Sequence, residues 1–216
     1  MKPAEITIDA PLRGEWAAIQ PPGHHPYAFD FIATGGSKKR FLKSRFLKWI
    51  LFRISIDDFY GWAQPIYSPI DGTVMDARDG IPDRNPINLI EDILTLLVPI
   101  MFNVYVRKKF VRDYRPYIGN YVIIQSQNIF SLLAHLRCGS VRAPAGQQVR
   151  KGELLGEVGN SGTSLGPHLH FQMMIGDKIE TSEIIPFSLH KYERRNRNEW
   201  EYIENKQLIK GDRIKI

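Results

Sequence analysis

Five of the six histidines fall in three short clusters, and one cluster is followed by a carboxylate set in an apolar run. The richest reads Gly159-Asn-Ser-Gly-Thr-Ser-Leu-Gly-Pro-His-Leu-His-Phe171. Side chains two apart on a strand share a face, so His168 and His170 project together while Leu169 and Phe171 turn to the core. Two imidazoles behind a glycine-rich loop suit the mouth of a zinc site; the alternative is a structural or surface pair. His135 lies in the apolar stretch Leu132-Leu-Ala-His-Leu136. It is either a polar group turned into a cleft or a hydrogen-bonded core histidine. In Pro21-Pro-Gly-His-His-Pro-Tyr-Ala-Phe-Asp-Phe31, Asp30 stands between two phenylalanines. A carboxylate in such surroundings needs a partner. A cation or metal, shared with His24 or His25, would serve, and so would backbone N–H groups at a turn.

The elements that must position these residues read as mainly β. Strands are expected within Tyr27–Ile32, after the Asp71-Gly72 turn that leads to Val74, over Asn120–Gln125, over Phe130–Leu136 and within Asp212–Ile216, from β-branched and aromatic content between turn residues. Short strands punctuated by Gly146, Gly152, Gly156, Gly159, Gly162 and Gly166 favour an antiparallel sheet or sandwich over a parallel α/β fold. Two excursions interrupt this pattern. In the first, 35–62, Leu42, Phe46, Trp49, Ile50 and Arg53 recur at helical spacing. The second, 85–112, is apolar and helical or irregular. The expected organisation is one domain over 1–216, with its core in 11–34 and 63–190 and a charged tail at 191–216.

Composition sets outer bounds. With 216 residues, 43% hydrophobic and 24% charged, the chain is an ordinary globular protein with room for one sizeable core. Its single cysteine, Cys138, excludes an internal disulfide framework and a cysteine-rich zinc site. Net charge is +6, and Lys38, Lys39, Arg40, Lys43, Arg45, Lys48 and Arg53 supply seven positive charges with no acidic residue between Thr34 and Ile56. Residues 38–53 therefore fit contact with an anionic membrane or cell-wall surface, or else a solvated helix packed on the domain. No nucleic-acid motif accompanies the charge, so no nucleic-acid partner is expected. The apolar run Ile93–Val106 is too short to span a bilayer and contains Pro99. The first twelve residues lack the pattern of a secretory signal, which by sequence suggests a cytoplasmic chain.

The ordered motifs resemble the lysostaphin-like, LytM-type zinc metallopeptidases that cut peptidoglycan peptides. The stretch from Gly159 to Phe171 looks like that family's final motif nearly residue for residue. Ser68-Pro-Ile-Asp-Gly-Thr-Val74, Ala134-His-Leu136 and Val149-Arg-Lys-Gly-Glu-Leu-Leu-Gly156 follow the family's order, over roughly 11–34 and 63–190. The resemblance implies a Zn2+ cofactor held by His170, Asp30 and an upstream histidine. The family's usual spacing puts that histidine at Pro26; His24 takes its place, with His25 as the alternative. His135 and His168 would be the catalytic pair. With no His-Glu-x-x-His helix to supply a glutamate base, one would take a proton from the attacking water and the other would stabilise the oxyanion. Asn160 and Ser161 could bond the substrate backbone or simply solvate their loop. The substrate would be a peptide or peptidoglycan, and the location the cell envelope. Two other readings stay open. One is a non-catalytic scaffold of the same family. The other is a biotinyl- or lipoyl-type carrier, which leaves the three histidines unexplained.

Overall fold

The computed structural model describes residues 6–21, 24–35, 40–97, 115–176, 182–197 and 199–216. Along the first half run β1 (Ile6–Ile8), β2 (Glu15–Ile19), β3 (Phe29–Ala33), β4 (Pro65–Tyr67), β5 (Gly72–Arg78), β6 (Asn120–Ser126) and β7 (Ile129–Leu136). There follow β8 (Gln148–Val149), β9 (Leu154–Glu157), β10 (Leu169–Ile175), β11 (Glu183–Ile185), β12 (Phe187–Asn196), β13 (Glu199–Gln207) and β14 (Arg213–Lys215). Ten strands pair in the order β1-β12-β14-β2-β3-β10-β7-β6-β5-β8, with β11 added to β10 and β13 to β12; β4 and β9 form a small second sheet. Apart from the parallel pair β1–β12, these ladders are antiparallel. The mainly β expectation therefore holds.

Alternation explains how the sheet carries both a core and a site. On β10, Leu169, Phe171 and Met173 face the main core. There Phe171 meets Phe187 edge to face at 5.1 Å and Phe31 at 6.4 Å. His170, Gln172 and Met174 take the other face, beside Leu132 and Ala134 of β7. Phe29 and Phe31 are likewise core residues, which leaves Asp30 on the face of His170. The phenylalanines that bracket each polar residue fix which way it points.

Three stretches differ from the sequence reading. Residues 191–216, expected as a charged tail with a last strand within Asp212–Ile216, do end in that strand as β14, but they also contain most of the β12–β13 hairpin, with Tyr192, Ile203, Leu208 and Ile214 in the main core. The charges of this stretch occupy exposed and half-buried positions, so its apolar alternation was easy to overlook. The helix of the basic excursion, α1, covers only Phe46–Leu51. Leu42 instead bridges Phe59, and Lys43 N–H donates to the Asp58 carbonyl at 2.8 Å. Backbone pairing takes those residues before a helix can, and Arg45 offers no side-chain cap. In the second excursion, α2 spans Leu89–Asp92, capped by Asn88, and continues as a wider helical turn through Leu97. The remainder of that expected excursion, 98–112, lies outside the described residues. Among the described residues, no helix is long and apolar enough to cross a membrane.

The excursions form a second core of their own. Leu42, Trp49, Ile54, Ile56, Phe59 and Ile87 are buried together, with Leu165 packed against them. Ile54 and Ile87 exchange backbone bonds at 2.8 and 2.9 Å. The loop leading to His168 is thus sandwiched between the sheet and this cluster.

Candidate metal centre and active site

His170 stands directly opposite Asp30 in the β3–β10 ladder, and its Nδ1 lies 2.8 Å from Asp30 Oδ1. His24, at the exposed lip before β3, places Nε2 3.4 Å from Asp30 Oδ2. One donor atom from each of these three residues lies within 4.8 Å of the others. His25 is exposed and turned away, with its Nδ1 accepting from Tyr27 N–H at 3.3 Å. Of the two candidates, it is His24 that faces Asp30 and His170.

Asp30 is only 5% exposed, and its ion-pair partners among the described residues are all histidines. Burial alone would raise its pKa, but His168, His170 and His24 together hold the carboxyl well below the usual carboxylate range. Burial likewise disfavours a charged His170, yet its contacts with Asp30 outweigh this and raise its pKa. A compact set of two imidazoles and one carboxylate, drawn from a loop and two strands, is a zinc donor set. Ligands about 2.0–2.2 Å from a tetrahedral ion stand about 3.3–3.6 Å apart, so small side-chain adjustments suffice. The residues fit the metal. Gln172 completes the arrangement: its Oε1 lies 3.2 Å from His170 Nε2 and can accept that proton, leaving Nδ1 as the donor toward an ion.

His135 and His168 reach the same place by other means. Simple alternation along β7 would turn His135 to the core face, opposite Ala134. A bulge intervenes, because Asn120 pairs with Leu136 but Tyr121 with Ala134, and His135 sits at φ 63°. A non-glycine residue held in the left-handed region inside a strand is uncommon, and bulges re-aim side chains. The His135 ring ends 4.7 Å from that of His168 and 6.1 Å from that of His170. His168 Nε2 lies 3.5 Å from Asp30 Oδ2.

Both rings are oriented by carbonyl oxygens, which can only accept. His135 Nδ1 donates to Ser161 O at 2.9 Å and His168 Nδ1 to Gly166 O at 2.8 Å. In the neutral ring of His135 this leaves Nε2 with a lone pair. Burial, reinforced by His168 and His170, lowers the His135 pKa well below its ordinary value, so this ring is neutral near pH 7.

Asn160 and Ser161, for which the sequence leaves both substrate contact and a role within the loop open, are fully buried. Most of their polar groups are engaged within the protein, although Asn160 Oδ1 is buried without a hydrogen-bond partner among the described residues. Asn160 Nδ2 donates to Arg84 O at 2.9 Å, and Ser161 Oγ donates to Leu136 O at 2.7 Å and accepts from Asn120 N–H at 3.0 Å. They hold the His135 bulge and the loop before His168 in place. Residues overlooked in the sequence share that task. Asp83 accepts from Asn160 N–H and Cys138 N–H at 2.6 and 2.8 Å. Arg84 pairs with Asp92 and donates to Ser164 O, while Ser164 Oγ lies 3.1 Å from His168 Nδ1. Gln172 was discoverable, since His168, His170 and Gln172 continue one period-two series; Asp83 and Arg84 carry no such signal.

Residues 104–181 match the model of peptidase family M23. That stretch is similar to the M23 peptidases. Over 60 residues it is 38% identical to the peptidoglycan DD-endopeptidase ShyA of Vibrio cholerae, covering 28% of this chain and 14% of that protein. Over 63 residues it is 30% identical to ShyB of the same organism, covering 29% and 15%. The matched stretches thus span about one seventh of each curated relative's length. Among solved structures, a peptidase M23 from Pseudomonas aeruginosa overlaps 81% of this chain and 48% of its own at 20% identity, with a TM-score of 0.43.

Proposed function

We propose that this chain is a zinc-dependent endopeptidase that hydrolyses peptide bonds in the stem peptides or cross-bridges of peptidoglycan, acting in the cell envelope. The observation that carries the reading is one buried carboxylate, Asp30, ringed by His24, His168 and His170, with neutral His135 behind them. The M23 match and the peptidoglycan endopeptidase relatives support the same chemistry and substrate class.

In this reading His24, Asp30 and His170 hold zinc. The bound ion would polarise the scissile carbonyl and bring the pKa of water toward about 7. His135 Nε2, kept unprotonated by burial, accepts the proton of the attacking water. His168, ring to ring with His135, serves the oxyanion side and delivers a proton to the leaving amine. Gly166 O and Ser164 Oγ keep His168 Nε2 aimed at that space, and Ser161 O does the same for His135.

The test is release of soluble muropeptides from purified peptidoglycan by zinc-loaded protein, with His168→Ala and His135→Ala as comparisons. Wild type releases product and both variants lose at least about a hundredfold in rate. Equal turnover by wild type and His168→Ala would defeat the assignment.

A further inference from the structure

The excursion cluster turns its inner face to the histidine loop and leaves an outer face unlike the rest of the surface. Trp49 is the buried residue of α1, packing edge to face on Phe59 at 5.2 Å. Outside it Phe46, Leu47, Leu51 and Phe52 are 45%, 59%, 60% and 62% exposed. Leu47 and Leu51 stand four apart, on one stripe of the helix. Ile90 and Leu94 of the adjoining helical segment, also four apart, are 49% and 59% exposed. The two pieces are joined: Asn88 Nδ2 donates to Ile50 O and Phe52 O at 2.9 and 3.0 Å, and Arg53 pairs with Glu91 at 2.8 Å.

The charge around these residues is of one dominant sign. Lys43, Arg45, Lys48 and Arg53 are all exposed on the same segment. Of the nearby carboxylates, Glu91 is paired with Arg53, Asp58 accepts from Ser44 Oγ, and exposed Asp57 accepts from Ser55 Oγ. Exposed apolar side chains rimmed by lysine and arginine are the pattern of a surface that seats in the headgroup boundary of an anionic bilayer. A cell-wall polymer would use the cations but give no place to four large apolar side chains.

We propose that the face formed by α1, Phe52 and the outer side of α2 is a docking surface for anionic phospholipid membranes, which holds the histidine site beside the bilayer. The inference is independent of catalysis and does not rest on the proposed peptidase activity.

The experiment is co-sedimentation of the full chain with vesicles of phosphatidylglycerol and phosphatidylethanolamine, compared with vesicles of phosphatidylcholine alone. Wild type binds the anionic vesicles and releases as salt is raised, with little binding to the neutral ones. Leu47→Ser with Leu51→Ser weakens binding at least about tenfold, and Lys43→Glu with Lys48→Glu abolishes the preference for anionic lipid. All four positions are exposed, so near-ultraviolet circular dichroism matching wild type certifies the fold of each variant. Equal binding by wild type and both variants would overturn the proposal. So would failure of wild type to bind anionic vesicles while it binds purified sacculi, which would transfer the surface to the wall polymer.

Discussion

Gly166 and Phe59 meet so closely that a Cβ on the glycine would stand 2.7 Å from Phe59 Cε1. The phenyl ring cannot easily yield, since Trp49 closes on it at 5.2 Å and Phe41 at 6.3 Å. Gly166 O in turn accepts from His168 Nδ1. Gly166→Ala therefore pushes on the carbonyl that aims His168, the histidine proposed to act in catalysis. Overpacking of this kind costs about 1–3 kcal/mol, which is a few degrees of melting temperature in a chain this long. The expected activity loss is larger, about ten- to a hundredfold in kcat/KM, because displacing a reacting group is costly. Adding Phe59→Leu restores part of it. Full activity in Gly166→Ala would mean that the excursion does not position His168.

The ligand assignment makes His24 and His25 experimentally separable. His24→Ala, Asp30→Ala and His170→Ala should each lower zinc affinity at least about a hundredfold, measured by competition with a chromophoric chelator. Gln172→Ala should cost about ten- to a hundredfold by freeing the His170 ring. His25→Ala should leave affinity unchanged. Since Asp30 raises the His170 pKa, a proton competes with the ion from pH values above 6.5 downward, and wild-type affinity falls as pH is lowered through that range. Retained affinity in His24→Ala and its loss in His25→Ala would reverse the choice between them.

Much of this site was legible because strand alternation carries information in sequence. Phe29-Asp-Phe31 and Leu169-His-Phe171 each announce a polar residue turned away from an apolar face, and β3 and β10 do pair with Asp30 opposite His170. His135 is different. Its clustering required a bulge that reverses the direction alternation assigns to it, and the determinants are distant: Asn120, Ser161 and Asp83. Asn160 and Ser161 could be read either way for a related reason, since the partners that bury them are distant in sequence. The charged hairpin at 187–207 hid its strands because most of its side chains face water.

Neutral His135 gives the protein a pH dependence with a definite sign. Its pKa is lowered in the folded state, so below the unfolded value of about 6.5 the unfolded chain binds the extra proton. The stability it contributes is complete above that pH and declines as pH falls, by up to about 1.4 kcal/mol per pH unit until the folded pKa is reached. Urea unfolding of metal-free protein between pH 7 and pH 5.5 should show this decline, and His135→Gln should flatten it. Identical slopes for the two proteins would place another group in that role.

Arg84 and Asp92 couple the second excursion to the site, and their variants should behave unequally. Asp92 is buried, and its desolvation outweighs the attraction of Arg84, so its pKa is raised even though Nη1 and Oδ1 are 2.5 Å apart. Removing only the arginine leaves an uncompensated carboxyl and also frees Ser164 O, which Arg84 Nη2 holds. Arg84→Met should therefore cost on the order of 3 kcal/mol, with activity falling further through the Ser164–His168 contact. The charge-free double variant Arg84→Met/Asp92→Leu should recover most of the stability, because a paired buried charge is often worth no more than an apolar replacement. It should not recover the activity, since Ser164 O still lacks its donor. Parallel recovery of both in urea unfolding and muropeptide release would show that the pair stabilises the fold without positioning His168.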